Sequence, residues 1–216
     1  MSQVFATDFG WSRNYPMRQK SQAHEALSVL FSREGVPNAI VTDDAKEMQK
    51  GKFAQKCRDA DTDLRQLEPF TPWANAAERE IKELKRGAGR KLISSKCPKR
   101  FWDYCLEFES YIRSHTAHDI FKLDGRVPEA LVSGETPDIS EYCDFAWYQW
   151  VMYRHGGNAK FPEEPFRLGR YLGPSIGVGP AQTARILIAN GEVLDRSTFR
   201  SLTPAEIENE ELSHER

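Results

Sequence analysis

Several features of secreted and membrane proteins are missing from this sequence of 216 residues. No apolar run approaches the roughly 20 residues that a transmembrane helix needs. Residues 1–10 lack the basic and apolar zones of a signal peptide. The cysteines form no CxxC pair and are widely spaced, at Cys57, Cys97, Cys105 and Cys143. We therefore expect an intracellular protein with no membrane contact and no structural zinc site.

A surplus of charge of one sign is also missing, because 30 Lys and Arg nearly balance 32 Asp and Glu, for a net charge of −2. The basic residues are nevertheless concentrated locally. Residues 82–100 carry eight basic side chains against the single acid Glu83. Such a stripe can bind phosphate on a near-neutral protein, because counterion release depends on the contacting face. A merely solvated helix surface is the alternative.

The first 95 residues alternate between strand-like runs and helical stripes, which predicts an α/β unit. The predicted strands cover residues 4–8, 13–17, 39–42 and 64–67. The predicted helices run from Ser21, as N-cap, to Gly35, over residues 52–60, and from Ala74 to Leu92. The apolar run 39–42 is typical of a buried parallel strand, with Asp43 at its C-terminal end.

The second half of the chain has a different texture. A long amphipathic helix is predicted after Pro98, within a helical extension over residues 96–140. Proline and glycine are then dense, and short runs predict strands over residues 148–153, 167–172, 184–188 and 193–195. Asn190-Gly191 is a hairpin signal between the last two. We predict an α/β core over 1–95, a small barrel-like all-β module over 141–204, and a disordered acidic tail over 205–216.

Asp43 and Glu78 are the side chains best placed for chemistry. Asp43 lies at the mouth of a predicted parallel strand, where open α/β sheets position ligand-binding groups. Glu78 lies in the first turns of a predicted helix. Exposed carboxylates are common at both kinds of position, so placement alone leaves a structural role open.

Two segments around these acids resemble the second and third carboxylate motifs of retroelement integrases: residues 40–47 (IVTDDAKE) and 69–79 (PFTPWANAAER). In that family a strand ends in Asp, and a Pro-rich loop with Asn then opens a helix that carries the catalytic Glu. Asp43, Asn75 and Glu78 take those places here, with 34 residues between the two acids.

The tryptophan that follows Pro72 makes this segment resemble the integrases of a copia-like subgroup of long-terminal-repeat retrotransposons. The sequence departs from the family in having Asp44 where Asn or Gly is usual, Ala76 where Gly is frequent, and a slightly shorter spacing. The resemblance continues through the stretches that follow the core in copia-like polyproteins. These stretches are residues 127–140, 168–173 and 190–199.

The resemblance implies an RNase H-like integrase core followed by helices and a small β module. It also implies an activity, the trimming of element DNA ends and their transfer into target DNA. Mg²⁺ or Mn²⁺ would be held in a two-metal site by Asp43 and Glu78, since carboxylates suit such hard cations. The expected partners are double-stranded DNA and further copies of the chain, and the expected location is the nucleus or a cytoplasmic virus-like particle.

The helix that carries Glu78 also supplies candidate DNA contacts. Glu78, Lys82 and Lys85 fall at i, i+4 and i+7, on one face of one helix. Two cations therefore lie beside the acid, where DNA phosphates would approach a bound metal. Together with Arg86 and Asn75, these lysines are the predicted DNA-binding residues.

The family needs a third carboxylate, an Asp on the first strand of the core, and Asp8 is the tempting candidate. Its surroundings, residues 4–12, instead resemble the second strand, where the Asp does not bind metal. We therefore expect that the chain begins after the first catalytic Asp and that the core lacks its first strand. The alternative function is then a catalytically inactive remnant of a retroelement that binds DNA or multimerises.

Overall fold

The computed structural model describes residues 1–43, 48, 50–67, 76–156, 165–178 and 182–209. Asn75 and the rest of the segment 69–75 lie outside these ranges, as does Asp44. The chain divides into two compact units. The first unit comprises residues 1–89 and 109–137, and the second comprises residues 90–108 and 138–216. Both units thus contain residues from before and after the boundary predicted at residue 95. The prediction followed a change in composition along the chain, whereas the units follow which residues pack together.

The first unit opens with an antiparallel hairpin of β1 (Ser2–Ala6) and β2 (Ser12–Pro16), close to the two predicted strands. Helix α1 (Ala23–Glu34) follows and ends before Gly35, as predicted. Ser21 as its N-cap was wrong, because residues 20–22 form a 3-10 turn and Gln22 precedes the helix. The side chain of Gln22 accepts hydrogen bonds from the backbone N–H groups of the residues just before that turn, which stabilises it.

A parallel pair of strands forms the second β element of this unit, β3 (Ala39–Thr42) with β4 (Asp63–Gln66), and helix α2 (Lys52–Asp59) connects them. The span and direction of β3 match the prediction, but its burial does not, since Val41 is 55% exposed. In the described part of the chain β3 pairs only with β4, and one face of the pair lies open.

The core of the first unit lies between the hairpin and the helices α1 and α2. Leu27, Phe53 and Cys57 are almost completely buried there, beside Phe5 and Trp11. Burial of a side chain such as Leu or Phe contributes about 1.5–3 kcal/mol. Among the described residues the two strand pairs are separate sheets. That a further strand belongs between them stays a prediction.

Two long helices follow, α3 (Ala76–Ser94) and α4 (Trp102–His115). Helix α3 continues through Gly87 and Gly89, although glycine weakens helices. At Gly87 a Cβ atom would collide with the carboxylate of Glu109 on α4, so the missing side chain allows close approach of the two helices. Nothing lies within 4 Å of the corresponding point at Gly89. A short helix α5 (Pro128–Ser133) lies near the end of this unit.

The second unit contains a short helix, α6 (Ser140–Cys143), and one five-stranded antiparallel sheet. Its strand order is β8-β7-β6-β5-β9. The strands are β5 (Trp150–Arg154), β6 (Phe166–Pro174), β7 (Ala184–Leu187), β8 (Val193–Arg196) and β9 (Phe199–Ser201). The predicted hairpin turn between β7 and β8 is present, and Gly191 adopts the positive φ of 89° that it requires.

The predicted disorder of the tail from residue 205 was wrong for its first residues, which form helix α7 (Pro204–Glu208). Thr203 and Glu206 form a capping box at its start, and the Glu206 carboxylate also pairs with Arg200 of β9 at 2.7 Å. These charge-assisted bonds anchor a segment that has no apolar stripe. No helix in the described ranges is long and apolar enough to cross a membrane.

Candidate nucleic-acid interface on helix α3

Helix α3 separates its charged and buried residues onto opposite sides. At about 100° per residue, Glu78, Lys82 and Lys85 fall within an arc of about 60°, and all three are exposed. The buried residues of the helix, Glu80, Leu84 and Ala88, occupy the other side. Arg86, beside the charged arc, is also exposed. The predicted face is therefore exposed to solvent.

The buried acid Glu80 fixes the rotation of α3. Its carboxylate accepts two hydrogen bonds from the Arg113 guanidinium of α4, at 2.7 and 3.2 Å. The Ser12 hydroxyl of β2 lies 3.4 Å from the same carboxylate, and the backbone carbonyl of Ser12 accepts hydrogen bonds from Ser110 and Ser114 of α4. Because this network ties α3 to α4 and β2, it holds the charged arc on the outside.

Glu80 was not among the residues singled out from the sequence. A glutamate two positions after a proposed metal ligand resembles an ordinary solvated residue. One signal was nevertheless available: Glu80 shares the i, i+4, i+8 positions of the apolar stripe with Leu84 and Ala88.

A second buried charge, Arg13 of β2, fixes the hairpin that precedes this network. Its guanidinium bonds Glu34 of α1 and Glu129 of α5, each at 2.7 Å, and lies over the rings of Trp11 and Tyr111. Burial is the largest effect on the Arg13 pKa and would lower it. The surrounding acidic groups outweigh burial and raise the pKa. Trp11 is thus a packing residue of the hairpin.

Asp43 lies directly after β3 and is exposed, so it occupies the C-terminal end of a parallel strand as predicted. Oxygen donors at exposed positions, such as those of Asp43 and Glu78, are the kind that a hard divalent cation prefers. Across the residues that the structure describes, no group of three or more His, Cys, Asp or Glu is arranged to hold a metal ion.

Asp8 lies in the turn between β1 and β2. Its carboxylate forms an ion pair with Lys122, and its backbone carbonyl accepts a hydrogen bond of 2.8 Å from Arg79 of α3. Asp8 is thus engaged with a cation in a turn, and we keep it outside the candidate metal set.

Aromatic and arginine side chains of the second unit could serve either DNA contact or packing. Trp147, Tyr153 and Tyr171 are buried, so they pack in the core of this unit. The Arg170 guanidinium lies over the Trp150 ring, 3.6 Å from its centroid, and also over a tyrosine ring. Burial lowers the pKa of Arg170. This pattern favours packing over DNA contact for these residues.

Comparison with known proteins gives no matching family model and no matching curated protein. Among solved structures, the chain is similar to a cryoEM structure of the simian T-cell lymphotropic virus intasome in complex with PP2A regulatory subunit B56 gamma. That likeness has 16% identity and a TM-score of 0.44, over 89% of this chain and 70% of the other. The catalytic core domain of BIV integrase is similar with 12% identity and a TM-score of 0.40, over 57% and 76%.

Proposed function

We propose that this chain binds double-stranded DNA through α3 in the manner of a retroelement integrase. The observation that carries the proposal is the exposed arc of α3, where Glu78 lies one turn from Lys82 and two turns from Lys85. The sequence motifs around Asp43 and Glu78 supply the link to integrases.

The charges of this arc suit a phosphate that is bridged to the protein by a metal. Lys82 and Lys85 attract phosphate as compact point charges, and Arg86 adds a planar donor group beside them. A bare Glu78 carboxylate would repel the same phosphate. A divalent cation held by Glu78 and Asp43 would reverse that repulsion, and when bound it would activate the attacking oxygen and stabilise the leaving one in phosphoryl transfer.

The fuller proposal is an integrase from a copia-like retrotransposon, with Mg²⁺ or Mn²⁺ as cofactor. It would process element DNA ends and transfer them into target DNA, acting as a homo-oligomer in the nucleus. Asn75, the residue that precedes α3 in the sequence, would add a DNA contact.

A second candidate is a DNA-binding or multimerising remnant without catalytic activity. The position of Asp8 favours it, because that acid lies in a turn and pairs with Lys122.

DNA binding is tested by fluorescence anisotropy of the full chain with a labelled duplex over a range of salt concentrations. The Lys82→Ala/Lys85→Ala double variant should bind more weakly and lower the slope of log K against log salt by about 2, since each phosphate contact contributes about 0.9. The matched control is Arg18→Ala/Lys20→Ala, which removes two exposed cations near the start of the chain. Equal losses in both variants would refute a specific role for α3.

The metal role is tested by the effect of Mn²⁺ on the same DNA affinity. Mn²⁺ should tighten DNA binding by the native chain, and Glu78→Gln or Asp43→Asn should abolish that response. Glu83→Gln, on the same helix, is the control and should keep it. A native chain that does not respond to Mn²⁺, or a Glu78→Gln variant that still does, would reject the metal role.

Catalysis is tested by strand transfer of the labelled duplex in the presence of Mn²⁺. Activity that survives Asp8→Asn and is lost in Glu78→Gln supports the integrase and places Asp8 outside its site. DNA binding without any strand transfer supports the remnant.

A further inference from the structure

The second unit contains a cavity of about 280 Å³ that α6 and the sheet form together. Its lining includes both acidic and aromatic side chains. Three carboxylates come from the segment around α6: Asp138, Glu141 and Asp144. Three aromatic rings come from that segment, β6 and β9: Phe145, Tyr171 and Phe199. No feature of the proposed DNA-binding function uses these residues.

The aromatic rings form one continuous wall. The centroid of Phe145 lies 4.9 Å from that of Phe199 and 5.3 Å from that of Tyr171, and the remaining pair is 6.0 Å apart with planes at 25°. These spacings leave no room for a ligand between the rings. Phe145 and Phe199 are only half-buried, so a ligand would lie against the wall.

Backbone contacts hold two of the carboxylates in place at this cavity. Asp138 accepts a hydrogen bond of 2.9 Å from the N–H of Ser140, and Glu141 accepts one of 3.1 Å from the N–H of Gln182. Among the described residues, no Lys or Arg forms an ion pair with Asp138, Glu141 or Asp144.

The electrostatic field of these acids reaches the aromatic wall. Burial raises the pKa of Tyr171 most, and the charges of Glu141 and Asp144 raise it further. Three unpaired acids beside a wall of rings repel phosphate and attract a cation. The negative face of an aromatic ring also attracts a cation.

The geometry selects among cations. A guanidinium is planar, stacks flat on an aromatic face and offers a fork of donors to a carboxylate, whereas an ammonium is compact and strongly hydrated. The cavity volume lies just below the roughly 300–1,000 Å³ of small-molecule sites, so it suits one side chain. We propose that this cavity binds an arginine side chain of a partner protein, stacked on Phe145 and Phe199 and paired with Glu141 and Asp144.

The test uses the full chain and NMR titration with the peptide acetyl-Gly-Arg-Gly-amide. Saturable shifts should appear at the cavity residues. The citrulline peptide, which keeps the shape and loses the charge, should bind about tenfold more weakly, and the lysine peptide should fall between the two. Equal binding of the arginine and citrulline peptides would overturn the proposal.

Three variants locate the site. Asp144→Asn removes an exposed charge without changing the shape of the cavity, and Phe199→Leu removes an aromatic face. Both variants should bind the arginine peptide several-fold more weakly. Asp195→Asn, an exposed acid on β8 outside the cavity, is the matched control and should change nothing. A thermal melt of each variant separates loss of binding from loss of folding. If Asp195→Asn weakens peptide binding as much as Asp144→Asn does, or if Asp144→Asn weakens the binding of duplex DNA, the proposal fails.

Discussion

Replacement of Glu80 by glutamine should test whether a buried ion pair holds α3 in place. Glu80→Gln keeps the size of the side chain and removes the charge that faces Arg113 at 2.7 Å. Loss of one partner of a buried pair costs about 3–5 kcal/mol. Because the Arg113 side chain is 21% exposed, solvent recovers part of this cost. We expect a loss of about 2–3 kcal/mol in the free energy of unfolding of the first unit.

The matched control lies three residues further along the same helix. Glu83 pairs with Arg86 at 3.7 Å, and both side chains are largely exposed. Glu83→Gln should therefore cost about 0–1 kcal/mol, and 1 M salt should remove even that. Urea unfolding of both variants measures the difference, with hydrogen exchange at residues 76–89 of α3 to follow the first unit by itself. Equal costs, or a Glu80→Gln cost that salt removes, would refute a buried anchor.

Three further predictions concern other parts of the chain. Gly89→Ala should stabilise α3 by about 1 kcal/mol in urea unfolding, because a Cβ there meets open space, whereas Gly87→Ala should lose that gain to its collision with α4. Iodoacetamide at pH 8 should modify the exposed Cys143 first, and mass spectrometry should find Cys97 unmodified in the folded protein, since burial raises the pKa of its thiol to about 11. The Glu206 pKa is lowered from 4.5 to about 2, first by its hydrogen bond with the arginine of β9. A lowered folded-state pKa means that the α7 cap is fully stabilising above about pH 4.5 and loses that stabilisation as the pH falls toward 2. NMR shifts of α7 in the folded protein should therefore titrate near pH 2 and not near 4.5, and Glu206→Gln should abolish the titration.

Most regular elements of this fold were predictable because they carry local signals. Turn residues and alternating side chains mark β1 and β2, and Asn190-Gly191 marks the hairpin of β7 and β8. Strand β9 has only three residues, too few for a periodic pattern. Helix α7 was predictable in principle, since Thr203 and Glu206 have the spacing of a capping box. The acidic composition of the tail masked that signal.

Buried charges could not be predicted from local pattern, because their partners are distant in sequence. The buried Arg13 pairs with carboxylates 21 and 116 positions away, and the buried Glu80 pairs with a guanidinium 33 positions away. A prediction from the spacing of apolar residues places every charged side chain on the solvent-exposed face. The exposure of Val41 is the converse case. An apolar run predicts burial, but burial depends on which strands lie beside it.

The assignment of Glu78 as the candidate metal ligand depends on two independent observations that could have disagreed. The sequence motif selects Glu78, and the packing of α3 places Glu80 inside and Glu78 outside. Had the motif selected Glu80, it would have pointed to a buried carboxylate that bonds Arg113. Two glutamates separated by one residue differ by about 200° around a helix. The same rotation that buries one beside a counter-charge therefore exposes the other, on the side of the helix that carries Lys82 and Lys85.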